Sequence, residues 1–186
     1  MSFLSRIFSR RDPVKRDAET IYTRLMEQSR LPVFFGEGRF PDNYDGRIDV
    51  LTLHMAFVLE TLRRFDSNGA HLSQALFDYM KDDFEIALRE QGLSDTGVKK
   101  RIKPMISLFY TRVKAYSEGF ENNTFSNVAS AFHASKPNDN ESAKSLTLFD
   151  SEFCRTLDQY VTESREAFSS YSLGEIALGK FIFPSL

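Results

Sequence analysis

Few side chains in this sequence could make or break a covalent bond. The three histidines, His54, His71 and His133, fall on different predicted elements, and Cys154 is the single cysteine. There is no Gly-rich phosphate loop, paired-cysteine motif, His-Glu-x-x-His or nucleophile elbow. One thiol excludes an intramolecular disulfide and supplies too few ligands for a structural zinc or iron–sulfur site. Asp82 and Asp83 are neighbours and diverge on a helix, so they make no catalytic carboxylate pair. His54 sits between Leu53 and Met55, where a core histidine bonded to a carbonyl is roughly three times commoner than a ligand or general base. A hydrolase or metal enzyme would need His54 together with a carboxylate such as Asp49. The expectation is therefore a protein that binds and does not catalyse, with no metal and no cofactor.

Two charged clusters remain for recognition. Asp45, Gly46, Arg47 and Asp49 close a loop where a helix starts; capping of backbone N–H groups explains an acid there but not Arg47. Lys99, Lys100, Arg101 and Lys103 follow Asp95 at the start of another helix, where the helix dipole opposes positive charge. An acidic protein surface, anionic lipid or RNA phosphate would suit them, and a solvated charge run is the plain alternative. A third basic group lies in Met1 to Arg11, where Phe3, Leu4, Ile7 and Phe8 recur at helical spacing among Arg6, Arg10 and Arg11. These seven residues read as a short amphipathic segment able to rest on anionic lipid, or as a frayed terminus. No secretory signal is expected. The richness in Arg and Ser and the absence of acids before Asp12 fit a mitochondrial presequence as well.

The elements that must position these groups read as helices. Asp12-Pro13 is an N-cap with proline at the first helical position, followed by Val14, Ala18, Ile21, Tyr22, Leu25 and Met26 on one face. Pro32 to Gly46 reads as a long irregular connection. An amphipathic stripe of Ile48, Leu51, Met55, Val58, Leu62 and Phe65 should end at Ser67, Asn68 and Gly69. The next helix should begin near Ser73 and stop at Gly92, with a loop over Ser94 to Gly97. A fourth carries Ile102, Met105, Ile106, Phe109, Val113 and Tyr116, with Pro104 in its first turn or kinking it. A shorter helix with Phe125, Val128, Ala129 and Phe132 follows, then a polar turn at Lys136 to Asn140. One long helix should span Ser142 to Ser170, and the tail from Leu173 should dock on the body. No run alternates as a strand does, and no internal repeat occurs.

The predicted fold is thus all-α, with residues 1–11 as a basic segment and 12–186 as one multi-helix domain. A chain of 186 residues can bury roughly 70% of its unfolded surface around one core. Its 41% hydrophobic and 27% charged content is that of a soluble globular protein. The longest apolar run, Val50 to Leu59, is interrupted by His54 and falls short of a membrane span.

Asp45-Gly46-Arg47-Ile48-Asp49 leading into Leu53-His54 resembles the ubiquinol–cytochrome c chaperone family. So does the block from Gln74-Ala75-Leu76-Phe77 through Leu88-Arg89-Glu90-Gln91-Gly92 to Ser94-Asp95-Thr96-Gly97-Val98, then Lys100-Arg101-Ile102-Lys103 and Phe109-Tyr110-Thr111-Arg112. Gly179 and Phe183-Pro184 resemble the family's end. Pro104 and Arg39-Phe40-Pro41 depart from its pattern. The resemblance implies a helical chaperone that receives newly made cytochrome b for respiratory complex III, with a small partner subunit or the ribosome as associates and no role for DNA. A client with many membrane helices calls for apolar surface plus charge, so client binding is expected at Asp45, Arg47, Asp49, Arg89, Asp95, Lys100, Arg101, Lys103 and Arg112, with the two charged clusters rimming a Phe- and Met-lined groove. The short chain resembles a bacterial member, cytoplasmic and peripheral at the inner membrane; the mitochondrial matrix side is the alternative.

Overall fold

The computed structural model describes residues 12–122 and 149–186. The N-terminal basic segment, the expected helix around Phe125 to Phe132, the Lys136 to Asn140 turn and the expected start of the last helix at Ser142 lie outside the described residues. Everything else that is regular is helical; among the described residues the only β-type pairing is an isolated bridge between Phe35 and Phe40.

Helix α1 (Pro13–Ser29) starts as the sequence dictates, with the Asp12 carboxylate accepting from the Val14 amide at 3.1 Å and Pro13 at N1. Ala18, Ile21, Tyr22 and Leu25 form its buried face. The connection to α2 is more ordered than its Gly/Pro content suggests. A single 3-10 turn at Pro32–Phe34 and reciprocal backbone bonds between Phe34, Gly36 and Phe40 close it, burying Phe34 and Phe40.

Helix α2 (Tyr44–Leu62) begins before Gly46, which the sequence reading left in the loop. It is not the one-sided stripe expected from its spacing: 14 of its 19 residues are buried, including every residue from Ile48 to Val58. A helix apolar on all sides belongs in the middle of a bundle, and α2 touches all four long helices.

The second expected boundary also moves. A 3-10 turn at Arg63–Phe65 and the left-handed Asp66 (φ 46°) make the corner, so Ser67, Asn68 and Gly69 open α3 (Asp66–Glu90) instead of closing α2. Gly69 is needed for close approach: a Cβ there would lie 1.9 Å from the Leu62 carbonyl oxygen. Leu72, Leu76, Met80, Phe84 and Leu88 then face inward at every fourth residue. Gly92, at φ 85°, ends the region as expected.

Helix α4 (Asp95–Asn122) absorbs the loop predicted over Ser94 to Gly97, with the Ser94 hydroxyl accepting from the Gly97 amide at 3.3 Å. Pro104 lies in the third turn of α4, not the first, and the helix continues through it past Gly119. Its ring is exposed, so the cost is the hydrogen bond its missing N–H would have given. Helix α5 (Ser151–Ser170) is capped by Asp150, whose carboxylate accepts from the Phe153 amide at 2.6 Å. Short α6 (Leu173–Ala177) carries a full capping box of Ser172 and Glu175. After it, Phe181 is buried and Phe183 packs on His54, with ring centroids 4.8 Å apart, so the tail docks in the core as anticipated. The Arg64 guanidinium caps the end of α5, donating to the carbonyls of Phe168, Ser169 and Tyr171.

Candidate functional site

The packing of α2, α3 and α4 brings the two charged clusters to one end of the bundle, where α2 starts, α3 ends and α4 starts. The site is built on a tight corner. Asn43 caps α2 by accepting from the Gly46 amide at 3.0 Å, and a Cβ on Gly46 would sit 2.1 Å from the Pro41 carbonyl oxygen. Only glycine fits between Asp45 and Arg47, which gives the Asp-Gly-Arg sequence a physical reason.

Asp45 lies in the first turn of α2, where its charge complements the helix dipole. With Asn43, Tyr44, Leu88, Gln91 and Arg101 it lines a depression of about 380 Å³. The Tyr44 hydroxyl reaches the Met105 sulfur at 3.5 Å while the residue stays 39% exposed. Burial raises the pKa of the Tyr44 phenol; Arg101 opposes this, and Asp45 and Asp83 add to it. Arg47 turns the other way, pairing with Asp42 at 2.7 Å and covering the Phe35 ring at 5.4 Å. Arg89 bridges the end of α3 to the start of α4, 3.4 Å from Glu85 and 3.5 Å from Asp95. Lys100 and Lys103 are exposed on α4 and enter no salt bridge among the described residues.

Asp49 and Arg112 stand apart from the other seven candidates: both are buried, and they form an ion pair across the α2–α4 contact. Burial lowers the Arg112 pKa, with Tyr116 and Asp45 opposing, and an arginine keeps its charge regardless. Their side chains face each other and not solvent. Beneath the charged end they lock α2 to α4.

The lining of the Tyr44 depression contains neither Phe nor Met. A separate groove of about 460 Å³ runs between α3 and α4, lined by Leu59, Phe77, Phe109, Tyr110 and Val113 together with Arg63 and Asp66. It shares no lining residue with the Tyr44 depression.

His54 is fully buried, and both ring nitrogens are engaged. Nδ1 donates to the Val50 carbonyl at 2.7 Å, and Nε2 accepts from the Tyr160 hydroxyl at 2.6 Å. Gln28 in turn donates to Tyr160 at 3.2 Å, so the chain of bonds ties α2, α5 and α1 together. Burial pushes the His54 pKa down to about 4. Rings of Phe34, Phe57 and Phe183 surround it. Its surroundings are those of a core histidine, and Asp49 is held by Arg112. Among the described residues no three His, Cys, Asp or Glu side chains are grouped to hold a metal ion.

The sequence reading missed Tyr44, Leu88 and Gln91 as walls of the depression, and Tyr160 and Gln28 as partners of His54. Tyr44 carried a signal, a large ring directly before the acidic block at a helix start. Gln28 and Tyr160 carried none, because 132 positions separate them.

Residues 37–183 match the family model described as Ubiquinol-cytochrome C chaperone. Over 106 residues the chain is 24% identical to ubiquinol-cytochrome c reductase complex assembly factor 1 of Mus musculus and of Homo sapiens, 57% of this chain and 36% of each relative. The Xenopus laevis protein of that name is also 24% identical over 106 residues, 53% of its own length. The chain thus aligns with between about a third and about half of each of these relatives. The crystal structure of the Cbp3 homolog from Brucella abortus superposes with a TM-score of 0.73 at 26% identity, covering 98% of this chain and 97% of that one.

Proposed function

The chain belongs to the ubiquinol–cytochrome c chaperone family, and we propose that it is an assembly factor for ubiquinol–cytochrome c reductase that holds newly made cytochrome b through the charged end of the bundle. The observation that carries this reading is the convergence at that end of Asp45 and Arg101, more than fifty positions apart, around the half-exposed Tyr44. Arg89 and Asp95 pair where α3 ends and α4 starts, beside them in the chain, and Arg47 follows Asp45 on α2.

A client of many membrane helices presents charged loops between apolar segments. Such a client is recognised by charges of both signs set around an aromatic anchor, and complementary charge selects partner and orientation more than it adds affinity. Nothing in this recognition requires a bond to be made or broken. The Asp49–Arg112 pair and the Gly46 corner hold the rim in place, as a binding surface on rigid elements requires. Among the described residues no helix is long and apolar enough to cross a membrane. A protein with such a client works against the membrane face where the client is inserted, bacterial inner membrane or mitochondrial matrix side. A small partner subunit or the ribosome would be engaged there as well.

Reversing both exposed arginines, Arg47→Glu with Arg101→Glu, tests the reading. The double variant should lose co-purification with cytochrome b by at least about tenfold, as several lost charge contacts imply, with far-UV circular dichroism unchanged. Undiminished capture by a folded double variant overturns the assignment of this rim.

A further inference from the structure

The outer face of α4 carries charge that does not line the Tyr44 depression. From Val98 to Ser117 the helix contains Lys99, Lys100, Arg101, Lys103, Arg112 and Lys114 and no acidic residue, in a chain of net charge −2. Arg112 points inward and Arg101 towards Tyr44. The remaining lysines are exposed. Lys99, Lys103, Tyr110 and Lys114 are spaced by 4, 7 and 4 residues, which at 3.6 residues per turn keeps them within an arc of roughly 60°. Lys100 lies at its margin. Lys99, Lys100 and Lys103 make no salt bridge among the described residues; Lys114 has only the exposed Glu118, at 3.7 Å. Such a surface pair is worth little.

Beside this row runs the groove of Leu59, Phe77, Phe109 and Val113. Tyr110 stands at its lip, 55% exposed, with its ring 5.2 Å from Phe77. We infer that this face, lysine row and apolar groove together, docks on an anionic membrane surface. Headgroup phosphates would meet the flexible lysine stems, Tyr110 would sit at the boundary between polar and apolar layers, and the groove would take acyl-chain carbon. An acidic loop alone would satisfy the lysines and leave the groove unfilled, and binding to lipid that needs no client separates a membrane surface from a client segment. RNA would need an open aromatic face to stack on, and Phe77 and Phe109 crowd the ring of Tyr110. The inference is independent of which protein is the client: docked through α4, the molecule would keep the Tyr44 depression, on the other flank of the same helix, free.

The test uses the purified full chain and vesicles of phosphatidylcholine, alone or mixed with phosphatidylglycerol, and involves no client. The chain should co-sediment with the mixed vesicles and not with the neutral ones. Lys99→Ala with Lys103→Ala should weaken that binding about 25-fold, about fivefold for each lysine near an anionic surface. Because the chain has no tryptophan, Tyr110→Trp introduces a single reporter, whose emission should shift to the blue on mixed vesicles and be quenched by brominated lipid. Equal binding to neutral vesicles overturns the inference, as does an unmoved tryptophan spectrum. So does a loss confined to Arg6→Ala, Arg10→Ala and Arg11→Ala, or lysine-dependent binding to polyuridylate that vesicles do not compete away.

Discussion

On α2, four positions separate Asp45 at the solvent edge from Asp49 inside; on α4, eleven separate Arg101 from Arg112. The residue types are the same at the two depths, and their environments are opposite. Asp49 and Arg112 face each other in the interior, with side chains 10% and 2% exposed. Asp45 and Arg101 line an open depression, and Arg47 and Arg89 hold partners whose charges remain largely in water. An exposed pair exchanges one set of water contacts for another and contributes roughly 0–1 kcal/mol. A buried pair has given up its hydration, so each member depends on the other. The inner charges therefore fix how α2 crosses α4, and the outer ones stay available to a partner.

Removing one inner partner should have the largest effect. Arg112→Met leaves the Asp49 carboxylate buried without a counter-ion, and should lower the unfolding free energy by about 3–5 kcal/mol in urea titrations. Adding Asp49→Leu to it should recover most of that loss, because the uncompensated charge and not the missing contact is the cost. An Arg112→Met variant within about 1 kcal/mol of the parent would mean that the inner pair behaves as a surface pair does.

His54 extends the inner region and makes it sensitive to acid. Its pKa is about 4 in the folded chain against an ordinary 6.5, so between those values the unfolded chain binds the extra proton. Stability from this group is complete above about pH 6.5 and drains away as pH falls towards 4, by up to about 3 kcal/mol. Urea titrations of the parent and of His54→Gln across pH 7 to 4.5 measure it: the variant should start less stable and lose less, so the two curves converge. Parallel curves would place the imidazole in contact with solvent.

How much of this was legible beforehand follows from the same contrast. Helices α1, α3, α4 and α5 show one apolar face, and their existence could be read from spacing alone. Helix α2 is buried on every side, so periodicity misdescribed it as a stripe. Its end was misplaced because Gly69 looked like a terminator, when it is glycine to let α3 pass the Leu62 carbonyl. The corner is made by Asp66 at positive φ, which a non-glycine sequence does not announce. The charged blocks were visible, but not which charges turn inward. Depth is a property of packing between distant segments, and Asp49 and Arg112 are separated by more than sixty positions. His54 was readable as a core residue from its apolar neighbours, and its partners Tyr160 and Gln28 were not.

The smallest stability effect should come from the outer region, and it is the sharpest check on the comparison. Arg47 makes two close contacts with Asp42 and covers Phe35, so Arg47→Ala removes an exposed ion pair and a cation–π contact. Together these should be worth about 1 kcal/mol at an exposed site. Arg89→Ala, which loses longer pairs with half-buried Glu85 and exposed Asp95 and no ring contact, should cost less still. If the outer charges serve a partner, cytochrome b capture by Arg47→Ala should fall far more than its stability, while Arg112→Met should lose stability first and capture only as it unfolds. Plotting capture against unfolding free energy for these variants separates the two roles. Arg47→Ala and Arg112→Met lying on one common line would mean that capture only reports folding, and the distinction between inner and outer charge would lose its functional content.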